Sequence, residues 1–230
     1  SAHCWHNLGI LARDRGDLAR AEECFRRSLD LAERMGDVNT SAHCWHNLGM
    51  VARDRGDLTD AEARTQRGLD IFERIGDQSG CADCWTTLGM VAYERGALTA
   101  AATHCRAARR LARRLGLSQT EALATLGQAR ACRRAGHDRA ADALLAHARE
   151  VASAHGLLPE MTHVMLATAD VQIGQISMGQ GSLDAALRAV QEVLRLARLG
   201  GYRREEALAQ RLLGRHAMAA VMPAEAEGHL

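Results

Sequence analysis

The chain has 230 residues, 47% of them hydrophobic and only 3% aromatic, with a formal net charge of +1 at pH 7. So small a charge argues against a generally basic nucleic-acid binder, and no apolar run reaches the length of a membrane span or the pattern of a signal peptide. Ala, Leu, Arg and Glu dominate with only two prolines, a helix-forming composition, and every one of the 29 basic residues is Arg, which reads as the codon usage of a high-GC bacterium.

Residues 1–18 read SAHCWHNLGILARDRGDL, and residues 41–58 repeat them with two changes, Ile10 to Met50 and Leu11 to Val51. A third copy, CADCWTTLGMVAYERGAL, begins at Cys81, so the period is forty residues. A fixed period of that size marks a repeat array, in which each unit buries its apolar face against its neighbours. In the first unit Trp5, Leu8, Gly9 and Ala12 fall at i, i+3, i+4 and i+7, one face of a helix. Gly16-Asp17 ends it: Gly suits the left-handed residue after a helix, and Asp caps the next. Leu18, Ala21, Phe25, Ser28 and Leu29 form the inward face of the second helix, which ends at Gly36. Unit two repeats this with Trp45, Leu48, Gly49, Ala52, Gly56, Asp57, Ala61 and Gly76. Unit three does so with Trp85, Leu88, Gly89, Ala92, Gly96, Ala101 and Gly116, but Ala97 replaces the capping Asp, and a looser turn is expected there.

Unit four keeps its turn at Gly136-His137-Asp138 and its small residues at Ala129 and Ala141, with Thr125 in the Trp position. A five-residue slip is expected around Gly156 to Glu160, with Pro159 interrupting the helix. The pattern resumes in a new register with Ile173-Gly174, Gly181 and Ala186. A last first helix carries Leu213-Gly214 and Ala217, and Met222-Pro223 stops it. The chain reads as a single solenoid domain over 1–230, with repeats at 1–40, 41–80, 81–120, 121–160 and 166–205 and a partial one at 206–222.

Trp5, Leu8, Gly9, Ala21 and Phe25, with Trp45, Leu48, Gly49 and Ala61, resemble the signature of the tetratricopeptide repeat. The likeness is strong to residue 116 and weaker beyond. The period departs from the common 34-residue form; forty-residue versions are similar to those of kinesin light chains and of the C-terminal arms of actinobacterial NTPase-linked regulators. The resemblance implies an all-α, right-handed superhelix of paired antiparallel helices, whose successive first helices line a concave wall that binds extended peptides or partner helices. On that wall fall His3, His6, Asn7, Ile10, Arg13 and Asp14 in unit one. Unit two offers His43, His46, Asn47, Met50, Arg53 and Asp54, and unit three Asp83, Thr86, Thr87, Met90, Tyr93 and Glu94. In forty-residue members of the family an Asn just before Leu-Gly often holds a ligand's backbone, the place of Asn7 and Asn47. The competing reading is a solvated surface copied by recent duplication.

The segment from Arg106 to Arg139 is locally basic, and Arg130, Arg133 and Arg134 are expected to reach the wall of unit four. An acidic partner segment could dock there through charge-assisted hydrogen bonds. Nucleic acid is the rival, but no aromatic residues are interleaved for stacking on bases, and the plain alternative is a solvated helix face rich in Arg. His6 and His46 are expected to gain charge near pH 6 and to strengthen such binding.

Metal ligation is set aside. His3 with His6, and His43 with His46, stand at i, i+3, but Cys81-Ala-Asp-Cys84 is a lone CxxC without a second pair at zinc-finger spacing. Cys84 shares its repeat slot with Cys4 and Cys44, and cysteines there read as small packing residues. An odd total of seven suits a reduced, cytoplasmic protein. No glycine-rich phosphate loop, nucleophile motif or isolated carboxylate pair is visible, so neither catalysis nor a cofactor is expected. The function expected is recognition of a protein or peptide by the sensing or partner-recruiting arm of a larger bacterial regulator, possible partners including an acidic segment. The start at Ser1 within a repeat is read as the mark of an excised piece. The alternative is a structural solenoid that self-associates through its open ends.

Overall fold

The computed structural model describes residues 1–176, 183–200 and 206–213, and they are helical apart from short turns. The helices are α1 (Ala2–Asp14), α2 (Leu18–Met35), α3 (Val38–Arg55), α4 (Leu58–Ile75), α5 (Gln78–Glu94), α6 (Leu98–Leu115), α7 (Ser118–Arg134), α8 (Asp138–Ala154), α9 (Leu158–Ile176) and α10 (Leu183–Gly200). Residues 206–213 form a further helical stretch. The chain divides into two compact parts, Ser1–Ala148 and Arg149–Leu230.

One turn design sets the rhythm. Gly36 takes up φ +67, and its amide reaches the Glu33 carbonyl while that of Asp37 reaches the Ala32 carbonyl at 2.9 Å. The Asp37 carboxylate then accepts from the Thr40 amide at 3.0 Å and starts α3. The left-handed residue closes one helix and the acid satisfies the free amides of the next. Glycines in that conformation recur at 16, 36, 56, 76, 96, 116, 136 and 156, each twenty residues after the last. Ala97 supplies no side-chain cap, yet its backbone repeats the same bonds, so the turn lacks a cap without being looser.

The slip expected at Gly156 to Glu160 is not there. Gly156 keeps the twenty-residue spacing, and α9 begins at Leu158, forty residues after Ser118. Pro159 sits in the first turn of α9, where its missing N–H would have no intrahelical partner, so it starts a helix instead of interrupting one. The five extra residues fall later, since α10 begins at 183 and not at 178. Gly181, Gly214, Ala217 and Met222-Pro223 lie outside the described residues.

Packing explains why the units are similar but not identical. Gly9 is needed because the Phe25 ring lies over it; an added Cβ would sit 2.6 Å from the ring. Gly49 faces Thr65 and Gly89 faces Cys105 in the same way. Unit two, having lost the Phe at that slot, carries Phe72 two helical turns further on, against Gly80. The positions matching Phe72 and Gly80 hold Ala32 and Thr40 before it and Ala112 and Thr120 after it. An aromatic ring and a missing side chain have thus moved together, keeping the interior filled.

In Ser1–Ala148 the first helices α1, α3, α5 and α7 approach their neighbours within 8 Å between Cα atoms, whereas α2, α4 and α6 do not approach one another so closely. That part therefore curves with its first helices inside. Leu48 and Leu88 are buried under the preceding second helix, while Leu8, with none against it, is 42% exposed. In Arg149–Leu230 a core forms from Leu166, Ala169, Val190, Val193, Ala209 and Leu212. Ala169 occupies the slot of Gly9, Gly49 and Gly89 in unbroken register. Among the described residues, no helix is long and apolar enough to cross a membrane.

Candidate functional site: the first-helix wall

The inner side of α1, α3, α5 and α7 carries the residues singled out in the sequence, but it divides them into two kinds. Residues six and thirteen of a unit lean forward onto the next unit. His46 is buried, with Nε2 2.9 Å from the Thr87 hydroxyl. His6 lies 3.7 Å from the Cys44 sulfur through Nδ1 and edge-on to Phe25. Arg13 reaches across to Met50 Sδ at 3.3 Å and, more weakly, Asn47 Oδ1 at 3.5 Å. Arg53 repeats this with Met90 Sδ at 2.8 Å and adds Asp54 at 2.9 Å and Glu94 at 3.8 Å. These side chains stitch the seams between units.

Asn47 belongs to the seam as well. It is buried, and its amide nitrogen donates to the His43 carbonyl at 2.9 Å, so this amide is already engaged, while Asn7 is exposed. His46, walled in with Arg13, Arg53, His6 and His43 nearby, has its pKa pushed down to about 3, chiefly by burial. Burial also lowers His6. His46 is therefore neutral at pH 6, so the expected gain of charge there does not occur at this residue, and burial disfavours it at His6.

The second kind remains open to solvent. His3, Asn7 and Arg130 are exposed, and His43, Met50, Met90 and Tyr93 are half-buried. His43 stands edge-on to Phe72 with centroids 4.8 Å apart, and 6.2 Å from the His6 ring. Asp83 takes a hydrogen bond from the Thr120 hydroxyl at 2.8 Å; burial nonetheless raises its pKa. At unit four the wall turns cationic: Arg130 and Arg134 both lie over the Tyr93 ring, 5.1 and 5.5 Å from its centroid. Arg134 also donates to the Tyr93 carbonyl at 3.3 Å. Arg133 does not join them, for it pairs with Asp138 at 3.3 Å and with Asp142. At position thirteen of unit four it leans onto α8 of its own unit.

The indoles are on another side. Trp5 and Trp45 are half-buried, each under a guanidinium, Arg27 at 4.6 Å and Arg67 at 4.1 Å. Trp85, whose unit has Ala107 at that slot, is stacked by His104 with centroids 5.1 Å apart. Among the described residues, no three His, Cys, Asp or Glu groups are arranged to hold a metal ion. Cys81 and Cys84 are buried thiols whose ionisation burial disfavours. The seam role of His46 and Asn47 was not visible from helical phase alone. The signal that could have found it is that position six faces position four or seven of the next first helix, about one period later.

Residues 1–74 match the sequence model of the tetratricopeptide repeat. Compared with curated proteins, the chain matches none. Among solved structures it is similar to a Rap protein complexed with Competence and Sporulation Factor, with a TM-score of 0.75 and 14% identity over 95% of this chain and 66% of that one. It is also similar to a signal-transduction ATPase with a tetratricopeptide-repeat sensor from Pyrococcus horikoshii (0.62, 13%), covering 98% of this chain but 38% of the ATPase. A tetratricopeptide-repeat protein from Thermus thermophilus is matched over its whole length and 96% of this chain (0.61, 18%). The chain thus spans just under two thirds of the Rap protein and a smaller share of the ATPase. Its first 74 residues carry the tetratricopeptide-repeat sequence, and the chain as a whole has the fold of the tetratricopeptide-repeat solenoids.

Proposed function

We propose that the open strip of the first-helix wall binds a peptide or helical segment of a partner protein, with binding and not catalysis as its output. The observation that carries this reading is the row of Met50 and Met90, half-buried and one period apart on α3 and α5, continued at the same slot of α7 by the exposed Arg130, which with the exposed Arg134 lies over the Tyr93 ring. Thioether side chains adapt to varied apolar partners, and two arginines held on one ring can receive a carboxylate, so an acidic end of the segment belongs at unit four. The Rap protein of the same fold, crystallised with Competence and Sporulation Factor, and the sensor of the archaeal ATPase give the reading its biological setting. In that setting the chain acts as the sensing arm of a larger bacterial regulator in the cytoplasm, and its thiols, all free among the described residues, suit a reducing compartment.

Selection from a random peptide library tests this. Peptides enriched on the chain should bind at least about tenfold more weakly to Met50→Ser plus Met90→Ser, the loss of one good anchor. They should bind unchanged to Gln66→Ala plus Asp70→Ala on an outer helix. The reverse pattern would remove the binding surface from the wall, and light scattering that shows end-to-end growth with concentration would favour self-assembly.

A further inference from the structure

Helix α6 differs from the other outer helices of its part. It carries Arg106, Arg109, Arg110, Arg113 and Arg114 and no Asp or Glu. Arg110 and Arg113 stand at the slots where unit one has Asp30 and Glu33 and unit two has Asp70 and Glu73, so the third unit reverses the charge. Three arginines of the earlier helices are paired with carboxylates: Arg26 with Glu22 at 2.7 Å, Arg27 with Glu23 at 2.5 Å and Arg64 with Asp60 at 2.6 Å. Those of α6 meet no carboxylate among the described residues; Arg114 donates to the uncharged Gln78 at 3.1 Å. At 100° and 1.5 Å per residue, the five span about 140° of the helix surface and about 12 Å of its length. They lie away from the buried Ala101, Cys105, Ala108 and Ala112.

We propose that this face is a second docking surface, independent of the first-helix wall, for an acidic helical segment of a partner protein. Arg106, Arg110 and Arg113 follow i, i+4, i+7, the spacing at which a helix with glutamates on one face presents its carboxylates. Guanidinium–carboxylate pairs of this kind are bidentate and directional. A nucleic-acid backbone fits less well, because it would run beyond the 12 Å strip onto a neighbouring face carrying Asp70 and Glu73. No aromatic side chain stands among these arginines to stack a base. The glutamates at i, i+4 and i+7 of an acidic helix laid along α6 span about 10 Å and stay within the cationic strip.

The probe is a fluorescein-labelled Ala/Glu peptide about 18 residues long, above the length at which isolated helices become marginal, with glutamates at i, i+4 and i+7. Its control is an isomer with the same glutamates scattered round the helix. The test variant is Arg110→Asp plus Arg113→Glu, which restores the residues of unit one. Arg106→Ala plus Arg114→Ala serves as a second variant, and thermal unfolding verifies that each is folded. The ordered peptide should bind the wild-type chain more tightly than the isomer and lose at least about tenfold in affinity in either α6 variant. Arg130→Ala plus Arg134→Ala on the wall should leave that affinity within about twofold, a change below the weight of one charged hydrogen bond. Equal affinity in the α6 variants, a loss confined to the wall variant, or tighter binding of single-stranded DNA or phosphatidylserine vesicles than of the peptide would overturn the proposal.

Discussion

At the scale of single residues, repeated slots make the chain its own mutant series. Phe72 and Gly80 replace a small-residue-plus-Thr pair found in the units on either side. Gly80→Thr alone drives a side chain into the Phe72 ring and should cost about 1–3 kcal/mol, the range for overpacking. Phe72→Ala alone opens a cavity at a fully buried site and should cost about 3–5 kcal/mol. Together they rebuild the arrangement of unit one, so the double variant should be more stable than the sum of the two by more than about 1 kcal/mol. Additive losses in urea unfolding would show that the two residues do not share the site.

His46 gives a prediction in pH. Its folded pKa, near 3, lies below the unfolded value of about 6.5. Above pH 6.5 both states are neutral and the group contributes no pH dependence. Below it the unfolded chain takes up a proton that the folded chain refuses, so stability falls by up to about 1.4 kcal/mol per pH unit from this one group. His6 and His104, also lowered by burial, act in the same direction. Unfolding midpoints followed from pH 7 to pH 4.5 should drop steeply in the wild-type chain and less steeply in His46→Gln. Identical slopes would mean that His46 is protonated in the folded state.

At the scale of helices, Ala97 is the turn residue without a cap in a backbone already shaped for one. Ala97→Asp should stabilise the chain by about 0.5–2 kcal/mol, the usual worth of an N-cap acid, read as a rise in melting temperature; no rise would mean that the acid cannot reach the amides of Thr99 or Ala100. The helices were largely legible in the sequence, because Gly-Asp turns at a constant spacing leave little freedom for their ends. The slip was misplaced for a definite reason. Ile173-Gly174 imitates the Leu-Gly pair of the first helices, and Pro159 was read as a breaker although a first-turn position suits it. Ala169, the residue that preserves the register, carries no motif. Of the wall, the open strip was legible from helical phase. The seam was not, because which polar residues are consumed between units depends on contacts forty residues apart, such as His46 with Thr87 and Arg13 with Met50.

At the scale of the whole molecule, cohesion and recognition use neighbouring stripes of the same helices. Polar residues at slots six and thirteen of units one and two hold units together, while slots three and ten stay at least partly exposed on the wall. On the outside of Ser1–Ala148, Glu22 shows the same division. Burial would raise its pKa, but hydrogen bonds from Arg64 at 3.1 Å and from Arg55 outweigh it and hold the carboxylate below its usual range. The Arg95 to Glu62 pair at 2.5 Å repeats the clamp one unit on, while Ala102 and Ala135 omit it from the next. This outer clamp therefore joins units one to two and two to three but not three to four.

The central claim is that recognition occurs on the open strip of the inner wall. A photoreactive benzoylphenylalanine placed at Met90 tests it directly, set beside the same group at Gln66 on the outer face of α4 and irradiated with a peptide enriched by library selection. The account predicts a cross-linked product from Met90, abolished by excess unlabelled peptide, and none from Gln66. A product from Gln66 with none from Met90 would contradict it.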